Sequence, residues 1–126
     1  MDDPCEPLVV ALARRQLAAY NRADLDAFCA CYHADVEVMD ATGACTLRGA
    51  DAFRARYGAM FEAHDEVRGV VTARLVLGDH VVEHESWSRR ARDTGVPTAG
   101  EVLVRYTAHE GAIRWVVFLR PEPDRS

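Results

Sequence analysis

The order of the secondary-structure signals is the feature that most limits the fold of this chain. The first half carries apolar residues at helical spacing, as in the series Val10, Ala13 and Leu17, with one short strand pattern. After His64, long β-forming runs rich in valine dominate. Three helices followed by a long antiparallel sheet predict an α+β fold. With 126 residues and no repeat or low-complexity tract, we expect a single domain over residues 1–126.

Capping and turn residues place the boundaries of these elements. Asp3-Pro4 and Asp24 are typical helix starts, and Leu47-Arg48-Gly49 leads into a third helix. Gly78-Asp79 and Glu110-Gly111 predict tight hairpin turns. The strands are predicted over Val36–Asp40, Val67–Leu77, His80–Arg92, Glu101–His109 and Ile113–Arg120.

The predicted sheet is long relative to the helices that must cover it. A strongly curved sheet wraps such helices and leaves a hollow on its concave side. Its convex side then carries apolar residues without a partner in the same chain. We therefore expect a homodimer that forms through the sheet.

Composition narrows the partners and the chemistry. A formal net charge of −5 supplies no basic field for nucleic acid. All fifteen basic residues are arginine, so a Schiff-base mechanism, which needs lysine, is excluded. No apolar run reaches membrane-spanning length and the start is acidic, so we expect a cytoplasmic protein without a membrane partner, with four free thiols. No motif indicates a metal site or a cofactor.

Asp40 is the first candidate for chemistry. It ends the apolar strand Val36–Met39 and precedes the Thr42-Gly43 turn. A carboxylate beside an apolar pocket is a candidate general base, because desolvation raises its pKa toward neutrality. The alternative is that Asp40 only forms the turn, a frequent role of aspartate before glycine.

Five segments carry a family resemblance: Ala23–Phe28, Tyr32–Val36, Leu47–Gly49, Val81–Glu85 and Gly111–Arg120. Together they resemble the nuclear transport factor 2-like superfamily, which includes SnoaL-like polyketide cyclases and bacterial ketosteroid isomerases. The resemblance covers about residues 8–120. It implies a cone-shaped, cystatin-like sheet wrapped around three N-terminal helices, with a central cavity. It says less about activity, because the superfamily contains several kinds of enzyme and also plain binding modules.

The resemblance also implies positions for isomerase chemistry. The general-base aspartate of the isomerases falls on Asp40, their oxyanion tyrosine on Gln16, and their protonated aspartic acid near Leu103. Two of the three positions lack the family's residues, so steroid isomerisation by that mechanism is not expected. Tyr20, one helical turn beyond Gln16, is the candidate replacement donor.

Further candidates follow from the faces that the resemblance assigns to the strands. Val82 and His84 are expected to face the cavity, where a neutral imidazole would serve as acid, base or hydrogen-bonding group. The alternative is a histidine paired with a neighbour on a solvated face. Glu83 and Glu85 are expected to pair with arginine or to face the dimer partner, and Trp87 to lie on the convex side. The other expected substrate contacts are Tyr32, Tyr57, Phe61, Leu103, Arg105, Phe118 and Arg120.

Two functions remain open. The first is a cofactor-free isomerase, cyclase or dehydratase acting on a small hydrophobic carbonyl or polycyclic ligand. In it Asp40 shuttles a proton, assisted by His84 and a tyrosine hydroxyl. The second is a non-enzymatic ligand-binding or dimerisation module, which the residues at the vacant isomerase positions favour. An epoxide hydrolase would need an Asp–Arg–Asp set, of which only Asp40 and Arg105 are identified.

Overall fold

Three helices and six strands make up the computed structural model, which describes residues 6–121. The helices precede most of the sheet, as the element order predicts. Their bounds are α1 Leu8–Asn21, α2 Leu25–Cys29 and α3 Ala50–Ala63. The strands are β1 Tyr32–Met39, β2 Cys45–Arg48, β3 His64–Leu77, β4 His80–Ala91, β5 Pro97–His109 and β6 Ala112–Leu119.

The helix starts follow local backbone chemistry. The carboxylate of Asp24 caps α2 as predicted, by accepting the N–H of Ala27 at 3.1 Å. Before α3 stands Gly49 with φ +89°, a left-handed conformation that glycine adopts at little cost. The start predicted at Asp3-Pro4 lies outside the described residues, and the described part of α1 follows Pro7.

The strands form one sheet in the order β2-β1-β6-β5-β4-β3. All neighbouring pairs are antiparallel except β1 and β6, which run parallel with Val38 opposite Val116. The sheet is therefore mixed rather than wholly antiparallel, within the α+β class that the element order predicts. The physical reason is that most of the chain lies between β1 and β6, so no hairpin forces them to run in opposite directions.

The predicted hairpins are present, and one strand was missed. Gly78 has φ +58° in the β3–β4 turn, and Glu110 and Gly111 have φ of +53° and +81° between β5 and β6. Two consecutive positive φ values are the signature of the tight turn that matches strand twist. The missed strand is β2, which has only four residues and lies at the edge of the sheet, where pairing demands little of the sequence.

The core lies between the helices and the concave face of the sheet. Phe28 is its aromatic centre, with ring centroids 4.8 Å from Tyr57, 5.1 Å from Tyr32 and 5.6 Å from Phe53. These rings join α2 and α3 to β1. Within residues 6–121 no helix packs on the outer, convex face, which exposes 76% of Leu75, 41% of Leu103 and 39% of Leu119.

Candidate functional site

A cavity of about 710 Å³ opens between the helices and the concave face of the sheet. A volume of this size accommodates a ligand of several fused rings. Its walls are mostly apolar and aromatic. The polar and aromatic side chains that line it are Gln16, Tyr20, Phe28, Tyr32, Asp40, Thr42, Thr46, Arg56, Tyr57, Glu85, Trp87, Arg89, Tyr106, Phe118 and Arg120.

Glu85 is the carboxyl group that projects from the sheet into this cavity. It lies on the same face of β4 as the fully buried Val81 and Glu83, because alternate residues of a strand share a face. No hydrogen bond or ion pair joins its carboxyl group to another side chain in the described part of the chain. The group is thus free to interact with a ligand.

Gly69 makes the room for this carboxyl group. A Cβ atom at this position in β3 would overlap the Glu85 Oε1 atom and lie 2.9 Å from Leu17 Cδ1. The strand is also tied to the end of α1. Gly69 donates its N–H to Asn21 Oδ1 at 2.7 Å, and Asn21 Nδ2 donates to the Gly69 carbonyl oxygen at 3.0 Å. We conclude that Gly69 and Asn21 together fix the place where the Glu85 carboxyl group lies.

The pKa of Glu85 is raised from 4.5 to about 7. Burial is the largest cause, the neighbouring carboxylate of Glu83 adds to the rise, and Arg120 opposes both effects. Glu83 is itself only 1% exposed and is paired with Arg74, whose Nε and Nη2 atoms lie 2.7 and 2.6 Å from Glu83 Oε2. Near neutral pH the Glu85 carboxyl group therefore exists in both forms, which suits proton transfer in either direction.

Protonated tyrosines surround Glu85. Burial raises the pKa of Tyr57 to about 12 and places that of Tyr106 well above its usual value; it also raises that of Tyr20. In each of these three cases Glu85 contributes to the rise, so it is close enough to act on all of them. Each of these hydroxyl groups is a neutral hydrogen-bond donor placed where negative charge would develop on a ligand.

Gln16, at the position that the resemblance gives to an oxyanion tyrosine, lies in a buried hydrogen-bond network. Tyr32 donates its hydroxyl hydrogen to Gln16 Oε1 at 2.9 Å, and Gln16 Nε2 donates to Tyr106 Oη at 3.2 Å. The same Nε2 donates to the Ala13 carbonyl oxygen at 3.0 Å. Tyr106 accepts in this network, so its own hydrogen is available to a ligand in the cavity.

Asp40 lies at the mouth of the cavity and not in its dry interior. Its Oδ1 atom accepts hydrogen bonds from Thr42 Oγ1 at 2.6 Å, from the Thr42 N–H at 2.9 Å and from the Ala44 N–H at 3.2 Å. The Thr42 hydroxyl, followed by the Thr42 N–H, lowers the pKa of Asp40. The expected raised pKa was wrong, because these donors favour the charged form and outweigh the smaller, opposing effect of burial. The geometry is that of the turn-forming alternative.

The predicted inward faces of β4 and β5 were wrong by one residue. His84 is partly exposed and its Nε2 atom lies 2.9 Å from Glu101 Oε1, which is the solvated pairing that was its alternative. The same outer face carries Val82, Leu103 and Arg105. In the strand register Leu103 lies opposite His84, and Val82, two residues before His84, lies opposite Arg105. An Asp40–Arg105 pair is therefore not formed. The alternation itself was read correctly, but the set containing Val81 is the buried one.

Other predicted contacts do line the cavity: Tyr20, Tyr32, Tyr57, Phe118 and Arg120. Phe61 lies behind this wall, with its ring centroid 5.7 Å from that of Tyr20. Trp87 was expected on the convex side, but it also lines the cavity. Its indole ring lies over Gly100, and a Cβ atom on Gly100 would be 2.8 Å from Trp87 Cζ2.

Sequence reasoning missed Glu85, although two signals were present. Both Glu83 and Glu85 were expected to pair with arginine or to face the dimer partner. Glu83 does pair with an arginine, Arg74, but Glu85 lies in the cavity. Gly69 lies inside the predicted strand Val67–Leu77, and Gly100 directly precedes the predicted strand Glu101–His109. A glycine in or beside a strand marks a place where another group can approach the backbone closely. In the structure Gly69 pairs with Trp87. A predicted register with this pairing would have placed Glu85, two residues before Trp87 on the same face, next to the space left by the missing Gly69 side chain.

The raised pKa of Glu85 makes the free energy of unfolding depend on pH. The folded state keeps the proton up to about pH 7, whereas the unfolded chain loses it near 4.5. Stability should therefore fall as the pH rises between these values, by roughly 3 kcal/mol, and then level off. Urea denaturation of the wild type and of Glu85→Gln at several pH values checks this, with Glu62→Gln as an exposed control. A Glu85→Gln difference that does not change with pH would contradict the raised pKa.

Three solved structures show how widely this architecture occurs. An uncharacterised cystatin-fold protein from Novosphingobium aromaticivorans aligns with a TM-score of 0.82 at 20% identity, over 91% of this chain and 99% of that one. An epoxide hydrolase from M. tuberculosis aligns with a TM-score of 0.79 at 12% identity, over 90% and 83%. An NTF2-like protein of unknown function from Burkholderia pseudomallei aligns with a TM-score of 0.77 at 15% identity, over 92% of each chain. At these identities the likeness concerns the fold alone.

Sequence comparison adds the family. No curated protein is significantly similar to the chain. Within residues 6–121, none of the helices has the length and apolar character needed to cross a membrane. The model of the SnoaL-like domain matches residues 13–118, which is most of the chain and includes Glu85, Gly69 and the lining tyrosines. The chain belongs to the SnoaL-like domain family, within the nuclear transport factor 2-like superfamily that the sequence resembles.

Proposed function

We propose that the protein is a cofactor-free enzyme that transfers a proton on a small apolar compound carrying a carbonyl group, with Glu85 as the acid–base residue. One observation carries this proposal: a carboxyl group with a pKa of about 7 projects into a cavity lined by tyrosine hydroxyls. Groups of this kind are concentrated at catalytic sites, because a base works best when its pKa lies near the operating pH. Asp40, held in its turn, is not needed for this step.

The proposed reaction begins with ionised Glu85. Its carboxylate removes a proton from the carbon next to the carbonyl group, and the electron pair of that C–H bond forms the enolate. The negative charge that develops on the oxygen is stabilised by hydrogen bonds from the hydroxyl groups of Tyr57, Tyr106 or Tyr20. Return of the proton to a different carbon completes an isomerisation. Attack of the enolate on a second carbonyl carbon gives cyclisation, in which protonated Glu85 returns its proton to the new alkoxide. Departure of a β-hydroxyl group gives dehydration, in which protonated Glu85 gives its proton to the leaving oxygen so that water is released.

A general assay for this step does not require the natural substrate. Aromatic bicyclic ketones dissolved in heavy water should exchange the hydrogens next to the carbonyl group for deuterium when the protein is added, as followed by NMR. The catalysed rate should rise with pH and level off above about 7, because the ionised form of Glu85 is the active one. Ligands that bind without any catalysed exchange, across a broad ketone panel, would instead favour the non-enzymatic binding module.

We also propose that two copies of the chain pair through the convex face of the sheet. The support is the apolar character of that face. Leu75 lies opposite Val82 on β3 and β4, and Leu103 lies opposite Leu119 on β5 and β6, so apolar side chains occur on this face from β3 to β6. Exposed apolar patches of this kind are typical of interfaces.

Charge placed on the convex face should separate the two copies. Leu103→Glu is expected to convert a dimer to a monomer, since each copy would bury an unpaired carboxylate in the interface. Light scattering coupled to size-exclusion chromatography measures the mass directly. Leu8→Glu, on an exposed leucine of α1, is the matched control and should leave the mass unchanged. A wild-type protein that is monomeric at all concentrations would refute this arrangement.

A further inference from the structure

The cavity has a local charge opposite to that of the whole chain. The protein carries a formal net charge of −5, yet Arg56, Arg89 and Arg120 line the cavity. In the described part of the chain none of these three guanidinium groups forms an ion pair with a carboxylate. The lining carboxyl groups are Asp40, which is engaged in its turn, and Glu85, which is partly neutral near pH 7. The cavity therefore favours a negatively charged ligand.

Arg89 and Trp87 give this preference a location. Both lie on the inner face of β4, and the guanidinium carbon of Arg89 lies 5.2 Å from the centroid of the Trp87 ring. Arg89 Nε and Trp87 Nε1 are buried, and neither has a hydrogen-bond acceptor within residues 6–121. Two buried donors without acceptors are costly, because each has lost its water without gaining a replacement. Arg56 and Arg120, by contrast, are exposed at the mouth.

We propose that the ligand enters as an anion, and that Arg89 and Trp87 hold its carboxylate or other acidic oxygen against the β4 side of the cavity. The guanidinium group supplies the charge-assisted hydrogen bonds, and the indole N–H supplies one more. Because both donors are buried in the structure, the proposal requires that the Arg89 side chain turn away from the indole ring when the anion binds. The inference deepens the proposed function and rests on it for the use of the same cavity. It names the substrate class: a planar apolar acid.

This anchor would orient the ligand for the proposed chemistry. Arg89 and Glu85 lie on the same face of one strand, with Trp87 between them. An acid held at Arg89 therefore extends its apolar rings past the indole toward Glu85 and the tyrosines. Fixing one end of a ligand in this way removes the freedom that otherwise opposes reaction at the other end.

Two fluorescent dyes of similar shape test the anchor without turnover. Anilinonaphthalene sulfonate carries an anionic group, whereas N-phenylnaphthylamine is its neutral counterpart. The wild type should bind the anionic dye at least about 10-fold more tightly than Arg89→Gln does, while the two proteins bind the neutral dye within about 2-fold. Trp87→Phe, which keeps a ring but removes the N–H, should weaken binding of the anionic dye by about 3-fold.

Controls separate this result from other causes. Arg22→Gln removes an exposed arginine at the end of α1 and should leave the binding of both dyes unchanged. Glu85→Gln should bind the anionic dye at least as well as the wild type, even if the proton-transfer proposal fails, because it removes a negative charge from the cavity. The anchor is refuted if Arg89→Gln binds both dyes as the wild type does, or if it loses both equally. Should Arg89→Gln not fold, Arg89→Lys and Trp87→Phe decide the question by the same comparison of dyes.

Discussion

Replacing Glu85 with glutamine is expected to lower the rate of ketone hydrogen exchange by a factor of about 10² to 10⁴, the usual contribution of a positioned acid–base group. Glutamine has nearly the same shape and fits the same gap over Gly69, but its amide does not accept a proton near neutral pH. The loss should therefore come from chemistry and not from misfolding. Exchange rates at saturating ketone, measured by NMR for wild type and variant, give this factor directly.

Matched variants identify the residue that carries the proton. Asp40→Asn and His84→Gln should keep the rate within about 3-fold of wild type, because neither side chain lies in the interior of the cavity. The pH dependence should also disappear in Glu85→Gln. If Glu85→Gln exchanged at the wild-type rate, or if Asp40→Asn lost exchange, Glu85 would not be the acid–base residue, and Asp40 at the mouth of the cavity would become the candidate again.

Replacing Arg74 with methionine is expected to destabilise the fold by about 3–5 kcal/mol, the cost of leaving a buried charge without its partner. Glu83 is 1% exposed, and Arg74 approaches the same carboxylate oxygen with two nitrogens. In the variant that carboxylate either stays charged without a cation or takes up a proton. Urea denaturation near neutral pH measures the difference in free energy.

A second substitution and an exposed control test the cause of this loss. Arg74→Met combined with Glu83→Leu should recover most of the stability, since it removes the stranded charge together with its partner. Arg48→Met removes a guanidinium that is 71% exposed and 3.6 Å from Glu37, and should cost less than about 1 kcal/mol. A double variant no more stable than Arg74→Met would show that packing, and not charge, accounts for the loss.

The architecture was accessible from the sequence because local signals agree with one another. Asp24 caps its helix, and the Gly78 and Gly111 turns set two hairpins, so most element boundaries follow from neighbouring residues. The parallel pairing of β1 with β6 was not accessible. It depends on contacts between residues far apart in the chain, such as Val38 and Val116, and no local pattern specifies it.

The candidate site was less predictable, because it depends on which face of a strand is buried. Alternation along β4 separates His84 from Glu85, but it does not say which of the two meets the helices. The family resemblance assigned the face with His84 to the cavity. The structure selects Glu85, because Gly69 leaves space on that face and Val81 and Glu83 are buried beside it. For Asp40, which follows β1, the sequence left two roles open, a general base or a turn former. The structure favours the turn, because Thr42 donates hydrogen bonds to the Asp40 carboxylate.

The parallel contact between β1 and β6 has a consequence for how the protein is made. Val38 meets Val116, and Tyr32 meets Ile113, so the wall that contains Phe118 joins the first strand only after nearly the whole described chain has been synthesised. Contacts between such distant residues form slowly, since a long loop must close first. On the ribosome, α1 and the β3–β4 hairpin can form before β6 has been synthesised. The ligand compartment is completed late, so a small molecule that binds there would stabilise the finished protein and not its nascent forms.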